Sequence, residues 1–175
     1  MTKFHKGLAL ELDVKTVSET GEFSGYASIF GKPDLGDDIV LPGAFAASLK
    51  RRGPEKIKLL RQHDQSDPIG VWTALTEDKR GLKAEGRLIL STVKGRETYE
   101  LLKAGALDGL SIGYKTIRDR IDAKKRVRFL EEIDLYEISV VTFPMGDDAR
   151  VAAVKSDRNN RLLRAIQNIN ESLKA

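Results

Sequence analysis

A serine hydroxyl, a histidine and a carboxylate are the residue types in this chain that could together make a nucleophile. A hydroxyl becomes a nucleophile when a base of near-neutral pKa takes its proton, and imidazole is the group whose unperturbed pKa suits that task. The sequence holds only two histidines, His5 and His63. His5 lies in a terminus expected to fray, so His63, in Leu59-Leu60-Arg61-Gln62-His63-Asp64, is the candidate base. The candidate hydroxyl is Ser111 in Gly109-Leu110-Ser111-Ile112-Gly113-Tyr114, where flanking glycines allow a second backbone or a substrate to come close. Two readings of Ser111 stand at this level: a nucleophile, or a small residue where a sheet packs tightly. The letters Gly-Leu-Ser-Ile-Gly imitate a nucleophile elbow, but their flanks do not read as a strand running straight into a helix. Lys115 is no substitute base, because four residues along a strand span roughly 13 Å and a proton transfer needs roughly 3 Å.

Glu137 is the candidate acid. Strict alternation from Ile133 to Val141 places Ile133, Leu135, Glu137, Ser139 and Val141 on one face. A carboxylate among apolar neighbours is costly unless a cation or strong donor meets it, and an imidazole is one such partner. The other readings are that Glu137 faces water or pairs with a structural Lys or Arg.

The elements that must position these residues are mostly strands. Alternation over Leu8–Val14 and Phe23–Phe30, around a turn at Glu19–Glu22, predicts an opening hairpin. Gly31–Asp38 reads as a loop. Pro42 reads as a helix start, with helix formers over Ala44–Arg52 and Gly53 as the stop. Ile57–His63 predicts a strand, Asp64–Pro68 a turn, Ile69–Leu75 a strand and Asp78–Gly81 a turn. Leu82–Leu90 predicts a further strand. Ser91 or Thr92 caps a helix running to about Ala104, ended by Gly105. Gly109–Arg118 and Val127–Phe143 complete the strands, the last interrupted by a bulge or turn near Glu131. The pattern predicts a mainly β protein with helices (α+β), a closed or nearly closed β-barrel with helical insertions. Residues 1–154 form this domain. Residues 155–175 read as an appended amphipathic helix or linker, with Leu162, Ile166, Ile169 and Leu173 on one stripe.

Composition narrows the function. A chain of 175 residues supports one domain with a real core. The absence of Cys excludes disulfides, thiolate metal sites and cysteine nucleophiles and suits a cytoplasmic setting. Two histidines without a His-Glu-x-x-His pattern give no reason to expect a metal or other cofactor. No run of about 18 apolar residues predicts a membrane span. The net charge of +4 is spread along the chain. The local clusters Lys50-Arg51-Arg52 and Lys124-Lys125-Arg126 read as solvated ends of a helix and a turn rather than a nucleic-acid surface.

Five blocks, taken together and in order, resemble the prohead, or capsid maturation, serine proteases of tailed bacteriophages. They are Gly25-Tyr26-Ala27-Ser28-Ile29-Phe30, Asp37-Asp38-Ile39-Val40-Leu41-Pro42-Gly43-Ala44-Phe45, and Leu59 to Asp64 followed by Pro68-Ile69-Gly70. Gly105 to Tyr114 and Leu135 to Pro144 complete the set. The resemblance covers most of residues 8–154 and implies a fold similar to the herpesvirus assemblins, a β-barrel surrounded by helices. It implies His63 as base, Ser111 as nucleophile and an acidic third member, assigned to Glu137 with Asp134, Glu131 and Glu132 close by. The implied substrates are the N-terminal scaffolding segment of the major capsid protein precursor and the protease itself. The implied location is the host cytoplasm, inside the immature capsid. A homodimer is left open, and the alternative from another class is a noncatalytic capsid assembly or scaffolding module of the same fold.

Overall fold

The computed structural model describes residues 20–146 and 148–154. The first arm of the expected opening hairpin, Leu8–Val14, and the expected helix over 155–175 lie outside the described residues. In chain order the elements are β1 (Glu22–Ile29), β2 (Asp38–Val40), α1 (Ala46–Lys56), β3 (Lys58–Arg61) and β4 (Asp64–Glu77). They continue with β5 (Gly81–Leu88), α2 (Val93–Lys103), β6 (Gly109–Asp122), β7 (Val127–Val141) and β8 (Val151–Val154).

All eight strands belong to one sheet, ordered β2-β7-β3-β4-β5-β1-β8, with β6 on the other edge of β7. The sheet curls until its ends meet. Leu110 N–H donates to Ala149 O at 2.7 Å and Val151 N–H to Asp108 O at 2.8 Å, so the run into β8 ties β1 back to the start of β6. This is the mainly β, nearly closed barrel that the patterning predicts, with α1 and α2 as its helices.

The core follows from period-two alternation. Leu59 on β3, Ile69 and Trp72 on β4, Leu82 on β5, and Ile138 and Val140 on β7 are buried in one cluster. Trp72 meets Phe23 edge-on at 5.6 Å between ring centroids. Thr92 caps α2 by accepting the Gly95 N–H at 3.0 Å, and Gly105, with φ 71°, ends it, both as the sequence predicts.

Elsewhere the expected boundaries move, each for a local reason. The first helix begins at Ala46 rather than at Pro42, because Gly43 sits at φ 89° in a turn that cannot continue a helix. Asp64–Pro68 is strand, not turn: the reversal is Gln62-His63, with φ 53° and 58°, and Arg61 pairs with Asp64 across it. That backbone is a two-residue hairpin turn of the type usually built with Asn-Gly, hence its silence in the sequence. The strands β2 and β8 have no separate signal either, being three and four residues long.

β7 carries the largest difference. Gly113 pairs with Glu137 but Tyr114 with Leu135, so Tyr136 is an extra residue, a β-bulge. It reverses the alternation. Ile133 and Leu135 therefore face the core with Ile138 and Val140, while Glu137, Ser139 and Val141 face the other way. The expected single face from Ile133 to Val141 does not exist. A second irregularity, where Arg118 pairs with Glu132 and Asp119 with Leu130, falls at Glu131 as expected.

Ile138 is fully buried between Glu137 and Ser139. Ile138→Ala should cost about 2–5 kcal/mol, which thermal unfolding would record as a Tm lower by on the order of 10 °C.

Candidate active site

β6 and β7 set the frame. Residues directly opposite in an antiparallel ladder project to the same side with Cβ atoms about 5 Å apart. Ser111 pairs with Ser139, and Gly113 with Glu137, so Ser111, Ser139 and Glu137 share the face turned away from the core. On the other edge of β7, the parallel strand β3 delivers the Gln62-His63 turn to the same place.

Non-glycine residues at positive φ need external support. Gln62 N–H donates to Val140 O at 3.0 Å, and Gln62 Nε2 donates to Thr142 Oγ1 at 2.7 Å. His63 N–H donates to Ser139 Oγ at 3.1 Å. The turn is thus fastened along β7. From it the His63 ring brings Nδ1 to 2.6 Å from Glu137 Oε1. The other carboxylate oxygen, Oε2, accepts the Ser139 hydroxyl at 2.7 Å.

With Nδ1–H given to Glu137, a neutral imidazole presents Nε2 as its acceptor. The Glu137 bond holds the His63 pKa above its ordinary value, partial burial opposing it. A partly buried carboxylate is tolerated because both its oxygens are bonded.

The other acids that the sequence leaves open are engaged elsewhere. Asp134 is clamped to α1, with both oxygens bound by Arg52 at 2.9 Å and with Arg51 and Ser48 beside it. The Arg52 bond holds the Asp134 carboxyl well below the usual carboxylate range against its burial. Glu131 pairs with Arg118 and Arg120, and Glu132 with Arg118. Among the described residues, Glu137 is the acid that meets His63.

The structure brings His63 and Glu137 into contact and places Ser111 one cross-strand pair away, 4% exposed, without a hydrogen bond to the His63 ring. Ser139 is the residue that sequence reasoning passes over. It appears there only as a neighbour of Glu137, yet its hydroxyl joins the His63 backbone to the Glu137 carboxylate. Only the pairing with Ser111 across β6 could have drawn attention to it.

The glycines around Ser111 have separate causes. A Cβ at Gly113 would collide with Glu137 Oε1, so Gly113 leaves the space in which the carboxylate lies. A Cβ at Gly109 would stand 2.7 Å from Pro144 Cδ and 2.8 Å from Val141 O, so Gly109 admits the chain leaving β7.

Solved structures share this barrel. The capsid assembly protease of bacteriophage T4 aligns over 70% of this chain and 82% of its own, with a TM-score of 0.55 and 11% identity. KSHV protease, solved with a hexapeptide phosphonate inhibitor, aligns over 74% of this chain and 63% of its own, with a TM-score of 0.51 and 15% identity. The fold is one that viral proteases use.

Sequence is more specific. The family model described as Caudovirus prohead serine protease matches residues 10–163. The prohead protease of Enterobacteria phage HK97 is 32% identical over 166 residues, 91% of this chain and 73% of that protein. The prohead protease of Escherichia phage T5 is 25% identical over 145 residues, 83% of this chain and 68% of that protein. The chain belongs to the Caudovirus prohead serine protease family, and is a serine peptidase on that ground.

Gly113→Ala tests the site's electrostatics without touching a polar group. The added methyl must displace the flexible end of Glu137, removing the main cause of the raised His63 pKa. In NMR titration, wild-type His63 should titrate above 6.5, and the variant should fall back toward 6.5 with its fold retained.

Proposed function

We propose that this chain cleaves capsid precursor protein during prohead maturation, with Ser111 as nucleophile, His63 as general base and Glu137 as the group that orients and charges the imidazole. The observation that carries this reading is the contact of His63 Nδ1 with Glu137 Oε1 at 2.6 Å on the face that Ser111 shares. The missing Ser111–His63 bond agrees with catalytic hydrogen bonds that tighten only around substrate.

The chemistry follows from the tautomer. Ser111 Oγ attacks the carbonyl carbon of the scissile peptide while its proton passes to His63 Nε2. The resulting imidazolium is stabilised by Glu137 through Nδ1–H. Collapse of the tetrahedral intermediate breaks the C–N bond, and the amine leaves with the proton from Nε2. Water then repeats the sequence on the acyl-enzyme, releasing the carboxylic acid and regenerating Ser111. Ser139 holds the carboxylate from its far side, so that orienting the imidazole costs little reorganisation.

The names of the relatives, prohead protease in phages HK97 and T5, support a capsid precursor as the substrate. The work would then take place in the assembling capsid within the host cell. The family resemblance further supports the N-terminal scaffolding segment of the major capsid protein as the part removed, and self-cleavage as an accompanying event.

The test is co-expression with the capsid precursor, products read by mass spectrometry. Ser111→Ala and His63→Ala should fold normally and abolish processing of both proteins; processing that survives Ser111→Ala would sink the assignment. Glu137→Gln should lower kcat by on the order of 100-fold or more, since an amide no longer stabilises the imidazolium. The base works only when neutral, so a raised His63 pKa moves the acid limb of kcat/KM upward. Wild-type activity should be lost as pH falls through a midpoint above 6.5, and in Glu137→Gln that midpoint should move to lower pH.

A further inference from the structure

The barrel wall is incomplete beside Ser111. β8 pairs with β1 over Phe23–Gly25, and the final links along this seam are Tyr26 N–H to Arg150 O at 3.1 Å and Leu110 N–H to Ala149 O at 2.7 Å. Beyond them, among the described residues, no strand joins β1 to β6. A cavity of about 500 Å³ fills this place, and Ala27, Ile29, Ser111 and Ile112 stand in its wall. Two loops roof it. Leu35 N–H donates to Met145 O at 2.9 Å, and Lys32 pairs with Asp148.

The charges around this cavity are already answered inside the protein. Lys32 has Asp148, and Asp38 is bound by Arg128 and by the Tyr114 hydroxyl. Asp34 Oδ1 accepts the N–H groups of Gly36 and Asp38 at 2.8 and 3.0 Å. An ionic guest would give up its hydration and find partners already engaged, whereas an aliphatic guest loses nothing by leaving water. Beside the Lys32–Asp148 pair the rim carries two exposed apolar side chains: Leu35 is 71% exposed and Met145 48% exposed. Large apolar side chains grouped at the mouth of a cavity mark a binding surface.

We infer that this cavity is a specificity subsite that receives an aliphatic side chain of the substrate next to the scissile bond, with Leu35 and Met145 setting its preference. The inference rests on the Ser111 reading above, because it is the presence of Ser111 in the wall that puts the cavity beside the bond to be cut. The occupant is one residue of an extended peptide, of the Leu, Ile, Val or Met class. Discrimination on the order of tenfold or more per methylene is what an apolar pocket supplies.

The test uses a peptide pool prepared from a bacterial lysate by cleavage after glutamate, which leaves Lys, Arg and aliphatic residues at internal positions, with cleaved bonds read by mass spectrometry. Wild-type protein should enrich aliphatic residues at one of the two positions flanking the cut. The double variant Leu35→Glu, Met145→Glu should reduce that enrichment at least tenfold and raise Lys and Arg at the same position. Leu35→Glu alone, at a largely exposed side chain, should shift the preference in the same direction and serves if the double variant does not fold by circular dichroism. A wild-type profile with no aliphatic preference at either position, or variant profiles identical to wild type, would overturn the subsite while leaving the serine reading intact. Cleavage that persists in Ser111→Ala would overturn the serine reading and the subsite with it.

Discussion

The single extra residue at Tyr136 decides which way β7 faces from there onward. In a strand with one face in the core, a slip of one residue exchanges the two faces completely. Continued alternation from Leu135 would turn Glu137 into the core and Ile138 and Val140 out of it. The bulge prevents this, and α1 holds the bulge in place. Arg52 lies over the Tyr136 ring at 4.3 Å while its guanidinium grips both oxygens of Asp134. The side chains before and at the bulge are therefore pinned by one arginine from another element. Glu137 owes its direction to contacts made one and three residues earlier in the strand.

The second constraint is strain placed where His63 must stand. Two successive residues with side chains at positive φ cost on the order of 1–3 kcal/mol each, and such conformations persist only when their surroundings over-determine them. Here the supporting bonds run to Val140, Thr142 and Ser139, all on the strand or strand end that also carries Glu137. The energy of the turn and the orientation of the acid are consequently coupled. A turn of Asn-Gly would form more readily, but it would not present an imidazole to β7.

How much of this was legible in the sequence depended on how local the cause was. The Thr92 cap, the Gly105 stop, β1, β5 and the irregularity at Glu131 are set by neighbours within a few residues, and the pattern of residue types revealed them. The parallel pairings of β2 and β3 with β7 join residues some eighty to ninety positions apart, and nothing local announces them. The same holds for the Tyr136 bulge, whose support comes from α1, and for the Gln62-His63 turn, which lacks glycine. His63 and Glu137 were legible through the scarcity of histidine, the cost of a carboxylate beside apolar residues, and the family resemblance. Yet the face argument for Glu137 reached the right residue through a strand that does not alternate as assumed. Ser139 was invisible as a participant because a serine beside a glutamate is unremarkable until the ladder sets it opposite Ser111.

The Gly-Leu-Ser-Ile-Gly segment shows why identical letters can arise from different physics. In an elbow, glycines relieve crowding around a sharp strand-to-helix turn. Here β6 runs on from Gly109 to Asp122, and each glycine clears a path for a neighbour across the sheet. Gly113 yields to the Glu137 carboxylate and Gly109 to the chain at Pro144. The serine is held rigidly by its strand, and the imidazole is brought to it on a strained turn. Positional accuracy therefore comes from register, which the core on the opposite face of β6 and β7 fixes through Leu110, Ile138 and Val140. A core residue in these two strands thus contributes to site geometry as directly as a polar one, because a shift of register would exchange Ser111 and Glu137 with their buried neighbours.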